Sequence, residues 1–262
     1  WGSGARTAPP PGVTADGLTV LRDGRVLLEN AEFDNEPGAF AFLIDTADGA
    51  AQAVQRMASG LRPAPGGALL VNGADPAAFR AGPRARAAFV SADSAPLNGT
   101  ILENLTLFGR GASVDDARAA AQLLDLERVI NRLPEGYDTR MASSGGATLP
   151  AGIVHSILLA RAIAQRPLLL AAHRPFAYLD ATAERRTLQA LKALRDRCTV
   201  LVSSNRTQFA AHADLVLSFE NGRCLSRAPL SFRAPRPEDG ATGGEDATAA
   251  AGAPPAATGG AA

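Results

Sequence analysis

Two short stretches of this chain carry side chains that could do chemistry. One is residues 168–180, where an apolar run, Leu168-Leu169-Leu170-Ala171-Ala172, ends in His173-Arg174 and a short loop then closes on Leu179-Asp180. Phosphate chemistry at the end of a buried strand calls for two carboxylates, one holding a divalent cation and one polarising water. His173 and Arg174 supply neither. Arg174 cannot serve as a base near neutral pH. His173 could accept a proton in principle, and reads better as a hydrogen-bonded structural histidine. The other stretch is Asp45-Thr46-Ala47-Asp48-Gly49-Ala50-Ala51-Gln52. A phosphate-receiving loop needs glycines whose N–H groups converge, a lysine for the terminal phosphates and a hydroxyl for Mg²⁺. This one offers Gly49 and two carboxylates. His155, His173 and His212 lack ligand spacing. Cys198 and Cys224 are too few and too distant for a zinc site or a disulfide framework, and read as thiols in a reducing compartment.

The elements that must position these residues follow from the apolar pattern. Runs at 39–44, 68–71, 87–90, 168–172, 199–202 and 214–219 read as buried strands, and 13–28 as a hairpin turning at Asp23-Gly24. Helices are expected at 49–59, 115–131, 151–165 and 181–196. The second opens with Ser113-x-x-Asp116 and keeps Leu123, Leu124, Leu126, Val129 and Ile130 near one face. Strands alternating with helices imply a mainly parallel sheet covered on both faces. Residues 100–160 show no clear strand and read as a helical insertion.

Composition bounds the partners. Lys plus Arg number 26 and Asp plus Glu 26, so formal net charge is zero and nothing electrostatic points to nucleic acid or an anionic membrane. No apolar run approaches the ~20 residues of a membrane span. Residues 1–14 and 231–262 are low in complexity and are expected to be a disordered linker and a disordered Ala/Gly/Pro-rich tail around a folded part at 15–230. The start at Trp1 reads as that of a fragment or processed chain.

Five segments in order carry a family likeness. They are Gly99-Thr100-Ile101-Leu102-Glu103-Asn104-Leu105, then Leu133-Pro134-Glu135-Gly136-Tyr137-Asp138-Thr139, the run Leu149-Pro150-Ala151-Gly152-Ile153, Ala160-Arg161-Ala162-Ile163, and Leu179-Asp180. Over residues 15–225 the chain resembles the nucleotide-binding domain of ATP-binding-cassette (ABC) transporters, exporter type. That resemblance implies an α/β, P-loop NTPase-like core with a mainly parallel sheet, a small N-terminal antiparallel β subdomain and a helical subdomain at about 97–160.

The same resemblance assigns the site positions. Counting back from Gly60-Leu61, Ala51 stands at the family's lysine and Gln52 at its hydroxyl residue, with Asp45 and Asp48 at two of the glycines and Gly49 retained. Two like charges at ~4 Å repel by up to about 4 kcal/mol at an effective dielectric of 20. His173 and Arg174 replace the Asp-Glu pair, Ala92 the γ-phosphate-sensing Gln, and Asn205 the switch His. The hairpin stretch 17–30 lacks the adenine-stacking aromatic. The LSGGQ signature becomes Leu149 to Ile153, losing its hydroxyl at Pro150, which also lacks an N–H, and keeping Gly152. Pro is comfortable at a helix start, so the helix survives this change. Asp180 ends the D-loop, and Ser143 or Ser144 stands where exporters carry a cross-talk Glu.

These residues favour a degenerate cassette with no catalytic residue, no metal ligand and no bound cofactor, ATP and Mg²⁺ being implied by family only. The expected role is a structural or regulatory half in transmembrane transport at the cytoplasmic face of the inner or plasma membrane. Its partners would be an exporter's transmembrane domain and a second nucleotide-binding domain in a homo- or heterodimer, with no nucleic acid. Two alternatives stand beside it: a soluble scaffold pseudo-ATPase outside transport, and an active transport ATPase with atypical residues. An ion pair from Arg174 to Asp45 or Asp48 is expected to fill the vacated phosphate site.

Overall fold

The computed structural model describes residues 8–44, 49–81, 87–141 and 149–227. The chain opens with β1 (Val13–Arg22) and β2 (Arg25–Asn35), joined at Asp23-Gly24. Both turn residues have positive φ, 51° and 78°, the geometry whose twist matches paired antiparallel strands. The second strand runs seven residues beyond the expected end of the hairpin at 28, because its partner β1 continues to Val13, which pairs with Asn35. A further strand, β4 (Gly66–Val71), pairs antiparallel with β1 and completes a three-stranded sheet.

The expected disorder of residues 1–14 does not hold for its last part. Thr199 Oγ1 donates to the Pro11 carbonyl at 2.6 Å and the Asn72 N–H to that of Gly12 at 2.9 Å, so this segment is tied down before β1 begins. Residues 1–7 and the tail 231–262 lie outside the described residues.

The larger sheet has the order β5-β6-β7-β3-β8-β9. Its members are β3 (Phe40–Ile44), β5 (Ala87–Ser91), β6 (Leu169–His173), β7 (Thr199–Ser204), β8 (Leu215–Glu220) and β9 (Arg223–Arg227). All neighbours are parallel except β8 and β9. Every residue of β3, β6 and β7 is buried, as expected of strands covered on both faces. Alternate residues feed two apolar layers. Phe40, Phe42, Leu170, Ala172, Val200 and Val202 face one, while Ala41, Leu43, Leu169, Ala171 and Leu201 face the other with α1 (Ala50–Ala58) and the three-stranded sheet.

The first layer is closed by α3 (Ile101–Thr106), α4 (Val114–Leu123), α5 (Glu127–Ile130), α6 (Ala151–Ala164) and α7 (Ala181–Lys192). A short α2 (Pro76–Arg80), capped by Asp75, was not read from the sequence. The segment expected as one helix at 115–131 is two. Asp125 turns left-handed (φ 55°), Leu126 N bonds Ala121 O and Asp125 N bonds Gln122 O, which is a Schellman stop. The start of α4 is as expected, with Ser113 Oγ accepting from Asp116 N at 3.1 Å. The expected helix at 181–196 ends at Lys192, four residues early.

Candidate functional site

In a parallel sheet all carboxyl ends lie on one edge, and in α/β folds that edge is where ligands bind. Here the register lines up Ser91, His173, Ser203 and Leu43 across β5, β6, β7 and β3. At this edge β3 ends at Ile44 and α1 follows its N-cap Gly49; residues 45–48 lie outside the described residues.

Gly49 caps α1 with φ 78° and no side-chain hydrogen bond. A Cβ here would lie 2.8 Å from Arg22 Nη1, so a guanidinium from the end of β1 sits against the start of the helix. The first turn presents Ala50 and Ala51, both buried, followed by half-buried Gln52. Lys192 is the one lysine of the whole chain, and it lies in the last turn of α7. Ala51, expected at the family's lysine position, provides no cation, and neither does Ala50.

Behind this turn runs a buried polar chain that sequence reasoning missed. Gln55, fully buried on α1, donates through Nε2 to the carbonyls of Ala172 (3.1 Å) and Leu201 (2.7 Å). Ser203 Oγ donates to Gln55 Oε1 at 2.9 Å, and His173 Nδ1 lies 2.7 Å from the same hydroxyl. Carbonyl oxygens only accept, so the orientation of the Gln55 amide follows from its partners. The single Ser203 proton goes to Oε1. The His173 nitrogen facing Ser203 must therefore be the donor, which places the proton of the neutral ring on Nδ1. Burial, with help from the Arg174 and Arg56 charges and against Asp93, lowers the His173 pKa to about 4, so the ring is neutral at pH 7. The one available signal was a glutamine between Val54 and Met57, both buried, on an otherwise apolar helix face.

The remaining positions gather around this chain. Ala92 is half-buried and its N–H bonds the His173 carbonyl at 3.1 Å. Arg174 is exposed, with φ 52° and its N–H on the Ser203 carbonyl; Asp45 and Asp48, its expected ion-pair partners, lie outside the described residues. Asn205 is exposed just past β7, beside Arg206, whose guanidinium pairs with buried Glu184. Asp180 is the N-cap of α7, accepting from Thr182 N (2.9 Å) and Ala183 N (2.8 Å). Leu149 is half-buried and Pro150 caps α6 without a side-chain bond. Gly152 lies against the chain's own loop after β6, where a Cβ would meet the Tyr178 carbonyl at 2.5 Å. His155, one turn further on, donates from Nε2 to the Pro175 carbonyl at 3.0 Å, and burial lowers its pKa. Ser143 and Ser144 lie outside the described residues.

The segments that carry the family likeness bond to one another. Thr100 and Glu103 form a reciprocal capping box at 3.1 and 2.7 Å. Asn104 accepts from Leu97 N and donates to the Leu97 and Thr100 carbonyls. Ile101 N reaches the Thr139 carbonyl and Met141 N that of Gly99, joining the 99–105 and 133–139 segments.

No family model matches this chain. Among curated proteins it is 36% identical over 132 residues to the type I secretion system ATP-binding protein PrsD of Rhizobium meliloti, covering 50% of this chain and 22% of that protein. It is 31% identical over 162 residues to a fatty acid ABC transporter ATP-binding/permease protein of Mycobacterium bovis, covering 62% and 26%. It is 27% identical over 223 residues to the mycobactin import ATP-binding/permease protein IrtB of Mycolicibacterium thermoresistibile, covering 84% and 38%. The chain is thus similar in sequence to the ATP-binding parts of ABC transporters. The alignments span well under half the length of these relatives. A solved bacterial Atm1-family ABC exporter with ATP bound shares the fold, with TM-score 0.75 at 24% identity over 86% of this chain and 41% of that one.

The cassette edge has a donor set unlike the one Mg²⁺-ATP calls for. The first turn of α1 holds no cation and no hydroxyl, and β6 ends in an imidazole and a guanidinium. Among the described residues no three His, Cys, Asp or Glu side chains could hold a metal ion, and no helix is long and apolar enough to cross a membrane.

Proposed function

We propose that this chain is the nucleotide-binding component of an exporter-type ABC transporter that neither binds nor hydrolyses ATP, and works as its structural or regulatory half. The observation that carries this reading is the first turn of α1, where buried Ala50 and Ala51 lie at the start of the helix and the only lysine of the chain is far off at 192. A phosphate there would meet helix N–H groups and the Arg22 guanidinium beside Gly49, without a lysine or a metal-holding hydroxyl in the turn itself. The end of β6 supports the same reading, since neither His173 nor Arg174 can take the place of a metal-binding carboxylate.

Relatives described as ATP-binding/permease proteins support a transmembrane domain, in the same chain or a separate one, as partner. A second nucleotide-binding domain and a place at the cytoplasmic face of the membrane follow from the same reading. The test is calorimetric titration and thermal melting with millimolar Mg²⁺-ATP. Ligand bound only by the folded state raises Tm. No heat and no shift is the expected result. A saturable nucleotide-dependent rise in Tm overturns the proposal.

A further inference from the structure

We propose that Gln55, Ser203 and His173 form a fastener that holds α1 against the carboxyl ends of β6 and β7 without any ligand. The three residues belong to three elements that meet at the edge described above. Every polar hydrogen in the set has a described acceptor: both Gln55 amide hydrogens go to backbone carbonyls, one on each strand, the Ser203 hydroxyl goes to Gln55 Oε1, and His173 Nδ1–H goes to Ser203 Oγ. Two members are fully buried and His173 nearly so. A buried polar set of this kind rigidifies its surroundings when all its members are satisfied, and is costly when one is removed.

The geometry of the carbonyls matters most. Ala172 O and Leu201 O are main-chain acceptors of adjacent parallel strands, so one amide group spans both strands and ties them to the helix. The fastener deepens the silent-site reading and rests on it for its purpose, since an edge with no nucleotide to organise it needs another means of staying in register. Its hydrogen bonds stand on geometry alone.

Two measurements on the 262-residue chain test it. In nitrogen-15 spectra of the three histidines, assigned with His155→Gln and His212→Gln, neutral His173 is expected to carry its proton on Nδ1, without nucleotide and unchanged by adding it. A ring protonated on Nε2 instead overturns the proposal. In thermal melts, Gln55→Leu and Ser203→Ala are each expected to lower Tm by roughly 5–10 °C, and the double variant by clearly less than the sum. Additive losses overturn it. Should Gln55→Leu fail to fold, Ser203→Ala with hydrogen exchange on α1 decides: faster exchange confined to α1 and the ends of β6 and β7 supports the fastener, and unchanged protection overturns it. Titration with Mg²⁺-ATP reports separately on the silent-site reading. Binding there with the Nδ1–H form intact removes that reading and leaves the fastener supported.

Discussion

The imidazole of His173 and the hydroxyl of Ser203 lie 2.7 Å apart across the paired ends of β6 and β7, with the ring in the donor role. By the family likeness of the sequence, an acidic residue is expected at the first of these positions. Here the position belongs to a buried hydrogen-bond chain, and its consequences are measurable without any nucleotide.

Acid should destabilise this cassette before its carboxylates titrate. The folded pKa of His173, about 4, lies below the free value of 6.5, through burial first and then the Arg174 charge, with Arg56 adding and Asp93 opposing. Between these pH values the unfolded chain holds more protons. The contribution to stability is therefore complete above about pH 6.5, falls as pH drops through the window, and stops changing below about 4. Burial depresses His155 with the same sign. Urea melts at pH 7.5 and 4.5 should differ by about 1–2 kcal/mol from His173 once solvent screening is allowed for. The slope should shrink in His173→Gln; an unchanged slope in that variant contradicts this account.

Gly152→Ala sets helix propensity against sterics. Alanine is favoured over glycine inside a helix by roughly 1 kcal/mol. Its Cβ would sit 2.5 Å from the Tyr178 carbonyl oxygen, a backbone atom that cannot swing aside. Overpacking of this kind costs about 1–3 kcal/mol, so the variant should be net destabilised in a denaturant melt. A gain in stability would show that the loop after β6 yields easily.

Asp180→Ala should cost about 1 kcal/mol through loss of the α7 cap, with Asp180→Asn costing much less, because either side-chain oxygen can accept from Thr182 and Ala183. Equal losses in the two variants would mean that the charge, not the cap geometry, matters.

Asn104→Ala should be among the most disruptive single changes in the helical segment. The side chain is fully buried and makes bonds to Leu97 and Thr100 that shape the turn into α3. Removing it leaves the Leu97 N–H and carbonyl short of a partner, while the Thr100 carbonyl keeps the Asn104 N–H, and opens a void, at about 2–4 kcal/mol. A loss below ~1 kcal/mol in chemical denaturation would refute that role.

The family segments were legible because their residues bond within the chain. Thr100, Glu103 and Asn104 answer to a local turn whose hydrogen bonds need those side chains, so the sequence shows the turn directly. The fully apolar runs at 40–44 and 169–172 likewise announce strands buried on both faces, and Asp23-Gly24 announces its turn. The break at Asp125 was hidden, because the apolar spacing of Leu123, Leu124, Leu126, Val129 and Ile130 continues through it while the left-handed stop is made by backbone bonds. The tie between Pro11 and Thr199 was hidden too, since a Gly- and Pro-rich end gives no sign of a partner 188 residues away. Sequence alone determined which groups stand at this edge: alanines in the helix turn, an imidazole and a guanidinium at the end of β6. Only the tertiary structure decided what those groups do. Gln55, His173 and Ser203 are separated by 30 to 148 residues, and no local periodicity records that parallel pairing of β6 with β7 brings a ring, a hydroxyl and an amide within hydrogen-bonding distance. Nor could it record that a single hydroxyl proton, once committed to Gln55, sets which nitrogen of His173 carries the hydrogen.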